Sequence, residues 1–238
     1  MTPTPPEPVG SPTATWRQRA VYVVGRAALG LAGVIPERVA YALAGGLGRL
    51  FYRCSSRRQR VALHILGNAY PDLTEAEHQR LARRSAAHVF KVALDSARLT
   101  RVIEAGRLDE VLDLATDAPV PEGPFIGVTA HVGSWEVSAV MLAQQTQRPA
   151  HTIIRGFRNP LIHRWMLDNR KRAGFIIHLK RGGIRGLTRA LRDGDVVMQA
   201  AAQNQRLRGL AAPFFGQVAS TNRSVAMLAL RFKVPIVV

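Results

Sequence analysis

The chain has 238 residues, a formal net charge of +17 and 47% apolar residues. This length allows one large domain or two small ones, and the apolar content excludes wholesale disorder. The single cysteine, Cys54, excludes an internal disulfide and is consistent with a reducing compartment.

Positive charge is concentrated in the second half of the chain. Residues 1–136 contain 16 Lys and Arg residues and 13 Asp and Glu residues. Residues 137–238 contain 17 Lys and Arg residues but only 3 Asp and Glu residues. Such a segment predicts a polyanionic partner: nucleic acid, an acidic membrane surface or phosphorylated lipid, or an acidic carrier protein. Nucleic-acid binding ranks last, because only 6% of the residues are aromatic and could stack on bases.

The N-terminal region is predicted to be a disordered tail over residues 1–15, followed by a helical, membrane-associating region over residues 16–53. The tail is rich in Pro and Thr and contains no Lys or Arg. Pro36 separates two predicted helices. The apolar run 20–35 is interrupted by Arg26 and is shorter than the ~20 residues that a spanning helix needs. It fits a helix in a membrane interface or an ordinary buried helix equally well.

A capping box marks the start of the next long helix. Thr74 is the predicted N-cap and Glu77 lies three residues later, so each side chain can bond to the other's backbone N–H. This helix is predicted to run to about residue 97. Before it, residues 55–60 are predicted to be a basic connector and residues 61–68 a helix.

From residue 124 onward, short β-branched runs alternate with helical stretches. This alternation predicts an α/β domain over residues 54–238, with a largely parallel sheet flanked by helices. The strands are predicted at 125–129, 152–154, 175–179, 196–198 and 234–238, and the helices at 135–145, 159–173, 183–192 and 220–232. Because the chain stops inside a strand-like run, we expect the domain to be incomplete at its C-terminus.

The most specific chemical arrangement is His131 followed by Glu136. His131 comes just after a predicted buried strand, where ligands bind in parallel α/β sheets. If Glu136 lies in the first turn of the next helix, it can accept from one ring nitrogen while the other removes a proton from a hydroxyl. A structural histidine at a strand end is an equally good interpretation of this spacing. No third or fourth metal ligand occurs at a suitable spacing, so no metal is expected.

Other catalytic signatures are missing from the sequence. It contains neither a G-x-S-x-G elbow nor a P-loop, and the glycines at 45, 46 and 48 do not complete a dinucleotide fingerprint. The remaining histidines are predicted to be surface or packing residues; they are His64, His78, His88, His151, His163 and His178.

Several short blocks, in order, carry a family resemblance. His131-x4-Glu136 resembles the H-x4-D/E motif of the lysophospholipid acyltransferase superfamily. The chain more closely resembles the bacterial lipid A late acyltransferases and their phosphatidylinositol mannoside acyltransferase relatives, over roughly residues 16–238. The other matching blocks are Ala69-Tyr70-Pro71-Asp72-Leu73, Ile154-Arg155 with Asn159-Pro160, Asn169-Arg170 ahead of Gly174, Gln203-Asn204, Gly209 with Pro213-Phe214-Phe215-Gly216, and Val234-Pro235-Ile236-Val237.

The resemblance implies an O-acyltransferase without a cofactor. His131 would deprotonate the acceptor hydroxyl, Glu136 would orient His131, and Arg155 would stabilise developing negative charge or hold a phosphate. Substrate contacts are expected from Arg158, Arg170, Lys180, Arg181 and Gln203.

The resemblance also implies where the chain works and with what. The donor would be a thioester on acyl carrier protein or coenzyme A. The acceptor would be an anionic lipid, namely a lipid A precursor or a related glycolipid or lysophospholipid. We expect action at the cytoplasmic face of a bacterial inner membrane, with a membrane surface and no nucleic acid as partner.

One departure supports a different function. Family members usually carry an acidic residue just before the glutamine of the Gln203-Asn204 block, and here Ala202 stands there. A catalytically degenerate relative that binds membranes or lipids is therefore the alternative hypothesis.

Overall fold

The computed structural model describes residues 14–32, 34–107, 110, 119–180, 182–205 and 209–238. It is an α/β fold in which five parallel strands form the main sheet, as the sequence predicts. Most of the predicted N-terminal tail, residues 1–13, lies outside the described residues.

Among the elements that the structure describes with both ends, four helices precede the sheet: α1 (Trp16–Ala32), α2 (Glu37–Arg53), α3 (Ser56–Ala69) and α4 (Glu75–Glu104). The capping box at α4 is confirmed, because the Glu77 carboxylate accepts from the Thr74 backbone N–H at 2.8 Å and Thr74 Oγ1 accepts from the Glu77 N–H. The predicted connector at 55–60 is wrong, since α3 begins at Ser56. Helix α4 also continues to Glu104, beyond the predicted end near residue 97.

The remaining elements alternate as expected over most of the domain. They are β1 (Ile126–Thr129), α5 (Trp135–Thr146), β2 (Ala150–Ile154), α6 (Pro160–Arg172), β3 (Phe175–Leu179), α7 (Gly183–Asp193), β4 (Val196–Ala200), β5 (Leu210–Phe214), β6 (Gln217–Thr221), α8 (Ser224–Phe232) and β7 (Ile236–Val237). The strand order in the main sheet is β3-β2-β4-β1-β7.

Each face of the sheet has its own hydrophobic core. Successive strand side chains point to opposite faces, so neighbouring residues such as Val196 and Val197 of β4 enter different cores. One core joins the strands to α4 and α5 through Leu99 and Val140. The other joins them to α7 and α8 through residues such as Leu187. The sheet is therefore a layer between two sets of helices.

One predicted boundary is wrong because of an unpredicted hairpin, and a second because the last strand is shorter than predicted. Strands β5 and β6 pair antiparallel, outside the main sheet. Residues 220 and 221 belong to β6, so α8 begins at Ser224 rather than Ser220. The predicted strand 234–238 contains β7, which is limited to Ile236–Val237.

Helix α2 has two distinct faces. One face carries Val39, Leu43, Leu47 and Leu50, all exposed, at the spacing of an apolar helical face. The opposite face packs against α4: a Cβ on Gly48 would lie 2.5 Å from the Ala86 carbonyl oxygen. Only glycine permits this approach of the two backbones.

Among the helices described, none is both long and apolar enough to cross a membrane.

Candidate active site

A cavity of about 1320 Å³ lies between the sheet and helices α4, α5 and α6. Its polar end is at the carboxyl ends of the strands, where His131, Glu136, Arg155 and Gln203 line it. Its other end reaches Phe175, the first residue of β3. The cavity thus extends along the strands, ~15 Å for a five-residue strand. Its position matches the usual ligand site of a parallel α/β sheet.

His131 lies two residues beyond β1 and is exposed to the cavity. Its Nε2 lies 3.2 Å from Nε2 of Gln203. A hydrogen bond between these two atoms requires the amide nitrogen to donate and the imidazole Nε2 to accept, which corresponds to the tautomer with its proton on Nδ1. The Trp135 ring lies beside the imidazole, with the ring centroids 5.1 Å apart. His131 therefore presents a lone pair at the polar end of the cavity.

The turn between His131 and α5 depends on Gly133. Its φ of +58° lies in the left-handed region, which glycine adopts without steric cost. The chain can thus leave β1 and enter α5 within a few residues, which places Glu136 in the first turn of α5 as expected.

Glu136 is paired with Arg170 of α6. Its Oε1 accepts from Nε of Arg170 at 3.1 Å and from Nη2 at 2.8 Å. Both side chains are mostly buried, with 17% and 16% of their surfaces exposed. Within the described residues, no hydrogen bond joins Glu136 to His131. The orienting role of Glu136 stays a prediction.

Of the other predicted site residues, two line the cavity, two lie outside it, and one is outside the described residues. Arg155 follows β2 directly, is exposed, and lines the cavity together with Gln203. Arg158 and Lys180 are also exposed beyond the carboxyl ends of strands, but they do not line the cavity. Arg181 lies outside the described residues.

Asp95 was not predicted as a site residue, yet it anchors the loop that carries His131. Its Oδ2 accepts from the Ser134 hydroxyl and its Oδ1 accepts from the Tyr41 hydroxyl. Ser134 is the residue that caps α5, and it uses its hydroxyl for this bond rather than for the helix N-terminus. Burial and the bond to Asp95 raise the pKa of Tyr41 to about 12. A single carboxylate on α4 therefore connects α2 to the His131 loop.

The sequence contains only a weak signal for this role. The signal is the position of a carboxylate directly after the buried Leu94 and four residues before the buried Leu99 of the same helix. Nothing in the spacing indicates Tyr41 or Ser134 as its partner, because both lie in other elements.

A second polar cluster lies on the opposite face of the sheet. His151 Nδ1 lies 2.9 Å from His178 Nε2, and His151 Nε2 lies 3.0 Å from Asp195 Oδ2. Burial, and then the neighbouring His151, lower the pKa of His178 below its ordinary value. Helix α7 packs over this cluster at Gly186.

Comparison with known proteins gives one family. The family model described as bacterial lipid A biosynthesis acyltransferase matches residues 10–238, which is nearly the whole chain. No curated protein matches the chain. The chain therefore belongs to the bacterial lipid A biosynthesis acyltransferase family.

Proposed function

We propose that this acyltransferase moves a fatty acyl group from a thioester, on acyl carrier protein or coenzyme A, to a hydroxyl of a lipid A precursor or related glycolipid or lysophospholipid. The observation that carries the proposal is the cavity, which combines a polar end with an apolar interior. Its interior is lined by residues such as Leu142, Phe175 and Met198, which suit an alkyl chain.

His131 is the proposed general base. The acceptor hydroxyl takes the place of the Gln203 amide and gives its proton to Nε2, while its oxygen attacks the thioester carbonyl carbon. The new C–O bond forms and the C–S bond then breaks. The leaving thiolate takes the proton from His131, which returns the imidazole to its neutral form.

Glu136 is proposed to hold the His131 ring in this tautomer. Arg170 occupies Oε1 of Glu136, and within the described residues Oε2 accepts no hydrogen bond. A carboxylate fixed by Arg170 can accept from the Nδ1–H of His131 through Oε2 and stabilise the imidazolium that forms.

Arg155 is proposed to stabilise the negative charge on the thioester oxygen. Its guanidinium lines the polar end of the cavity and makes no ion pair within the described residues. A guanidinium keeps its charge throughout the reaction and donates from a fixed fork, which suits a developing oxyanion or a phosphate.

Arg158 and Lys180 are proposed to bind the anionic groups of the substrates outside the cavity. Both are exposed at the same end of the sheet as His131. An acidic carrier protein or a lipid phosphate would meet positive charge there.

The proposed membrane contact involves α1 to α3. Helices α1 and α3 contain no buried residue, and the apolar face of α2 (Val39, Leu43, Leu47 and Leu50) is exposed. Apolar helical faces next to basic residues bind the interface of an anionic bilayer. We propose that they hold the chain on the cytoplasmic face of the inner membrane.

Transfer of a radiolabelled acyl group from each thioester to a lipid A precursor in mixed micelles tests the reaction. We expect His131→Ala to lower the rate by ~10²-fold or more, because the proton then has no acceptor. His88→Ala, which changes an exposed histidine on α4, is the matched control and should leave the rate unaltered. Activity unaffected by His131→Ala would exclude this mechanism.

Ala202 separates this proposal from the degenerate lipid-binding alternative. It is exposed directly before Gln203, so Ala202→Asp can be introduced without disturbing the core. Lipid binding without transfer in both the wild type and Ala202→Asp would favour the alternative.

A further inference from the structure

The β5–β6 hairpin is an exposed apolar surface without charge. Residues 209–222 contain no charged side chain, in a chain of which 21% of the residues are charged. Val218 is 80% exposed, and Phe214 and Phe215 are each more than half exposed. Because soluble proteins seldom leave several large apolar side chains together in water, this cluster indicates a binding surface.

The shape of the hairpin favours lipid over a protein partner. Residues 213–218, which form its tip, are all exposed. Phe214 lies on one face of the two-stranded sheet, whereas Val218 pairs with Pro213 on the other face. A protein partner would cover one of these faces and leave the apolar side chains of the other in water. Lipid surrounds an inserted tip on every side.

The backbone of the hairpin permits shallow insertion only. A two-stranded sheet has two unpaired edges, and unpaired backbone groups are not tolerated in the hydrocarbon core of a bilayer. Pro213 has no N–H, which removes one such donor close to the tip. The tip can therefore enter the headgroup and upper acyl region, to a depth of ~5–10 Å, as interfacial helices do.

The tip lies against the end of α3. The ring centroids of Phe215 and Tyr70 are 5.8 Å apart, and Tyr70 directly follows α3. Tyr70 is itself exposed. Aromatic rings are favoured at the level of the lipid headgroups. Since α1 to α3 form the proposed membrane contact, the hairpin extends that surface.

The other end of the hairpin lies close to the active site. The Gln205 backbone N–H donates to the Ser220 carbonyl of β6 at 3.0 Å. Gln203, two residues earlier, faces His131. The hairpin thus extends from the polar end of the cavity to the end of α3, over the ~17 Å of a five-residue strand.

We propose that the tip of the β5–β6 hairpin inserts into the interface of an anionic bilayer through Phe214, Phe215 and Val218. The net charge of +17 attracts the chain to such a surface, and the uncharged tip enters it without desolvating a charge. This insertion goes beyond the proposed contact of α1 to α3, and it requires no acyl transfer.

Binding of the full chain to vesicles of phosphatidylcholine and phosphatidylglycerol tests the insertion. We expect Phe214→Ser and Val218→Ser each to weaken binding by about threefold to tenfold, because each removes apolar surface from the lipid. Leu230→Ser is the matched control: Leu230 is also 80% exposed, but it belongs to α8, on the sheet face opposite α4. Unaltered binding in Phe214→Ser and Val218→Ser, or an equal loss in Leu230→Ser, would overturn the proposal.

A fluorescent label on the hairpin gives a second measurement. With the single cysteine removed by Cys54→Ser, Val218→Cys can carry a nitrobenzoxadiazole group. Its emission should shift to shorter wavelength when the vesicles are added, and the same label at Leu230→Cys should not shift. An unchanged spectrum at position 218 would leave the tip in water and overturn the insertion. A shift that follows protein concentration without vesicles would assign the tip to a second copy of the chain instead.

The outcomes separate this surface from the proposed function. Vesicle binding that depends on Val218, without any acyl transfer, would refute the proposed reaction alone. Acyl transfer by a chain whose vesicle binding is insensitive to the hairpin would refute this surface alone. Leu47→Ser, on the exposed face of α2, tests the proposed helix contact independently of both.

Discussion

Arg170 donates from both Nε and Nη2 to a single oxygen, Oε1, of Glu136. The two residues are 34 positions apart and come from different helices, α6 and α5. The bond therefore joins the two helices that flank the cavity at its polar end. Within the described residues, the second oxygen of Glu136 accepts no hydrogen bond, as its proposed role at His131 requires.

This ion pair should contribute to stability, because removal of the guanidinium leaves a mostly buried carboxylate unpaired. We expect Arg170→Met to lower the free energy of unfolding by about 1–3 kcal/mol, measured by urea denaturation. In a double-mutant cycle with Glu136→Gln, the summed losses in free energy of unfolding of the two single variants should exceed the loss in the double variant. Arg172→Ala is the matched control: this exposed neighbour lies 3.8 Å from Glu104 and should matter little. Simple additivity would contradict a coupled pair.

The bond between Ser134 and Asp95 should position His131 without taking part in the chemistry. Ser134→Ala should lower kcat about tenfold with little change in KM, because the loop loses its anchor while the cavity is retained. Ser134→Thr keeps the hydroxyl and should restore most of the rate. If Ser134→Ala and Ser134→Thr had the same kcat as the wild type, the anchor would have no role in catalysis.

The pKa of His178 predicts an acid-sensitive part of the stability. Because this pKa lies below its ordinary value of about 6.5, the unfolded chain binds more protons than the folded one just below that pH. The free energy of unfolding should therefore fall as the pH is lowered through and below about 6.5. In urea titrations at several pH values, His178→Gln should reduce this slope, with His88→Gln as the matched control. An unchanged slope in His178→Gln would assign the acid sensitivity to other groups.

Two glycines of α2 should respond oppositely to the same substitution. Gly48→Ala should destabilise the protein by about 1–3 kcal/mol, because its Cβ would meet the backbone of α4. Gly46 has nothing within 4 Å of the position of a Cβ, so Gly46→Ala should stabilise the helix by about 0.5–1 kcal/mol. Thermal and urea unfolding measure both. A stabilising Gly48→Ala would mean that α2 and α4 are not in close contact.

The sequence predicts the main sheet well because its strands carry short apolar runs between helical patterns. It does not reveal the β5–β6 hairpin. The turn there is formed by Phe215 and Gly216, both with positive φ, and a phenylalanine is an unusual first residue for such a turn. Pro213 also argues against a strand, yet it is tolerated because this two-stranded sheet consists of edges.

The part of the candidate site that comes from one short segment of the chain is predictable from the sequence. His131 and Glu136 are close in sequence, so a strand end followed by a helix start is enough to bring them to one end of the sheet. The partners that the structure gives them, Gln203 and Arg170, come from distant elements. Spacing along the chain does not indicate such pairs: the sequence predicts Arg170 and Gln203 as substrate contacts, not as partners of Glu136 and His131.

The close packing of α2 on α4 fixes more than stability. With Gly48 against α4 and Tyr41 bonded to Asp95, helix α2 has a single rotational setting. Its apolar face therefore points in a constant direction relative to His131. If that face binds a bilayer as proposed, the distance between His131 and the membrane surface is fixed. Only lipids whose hydroxyl projects from the membrane to that height could then react, whatever contacts they make in the cavity.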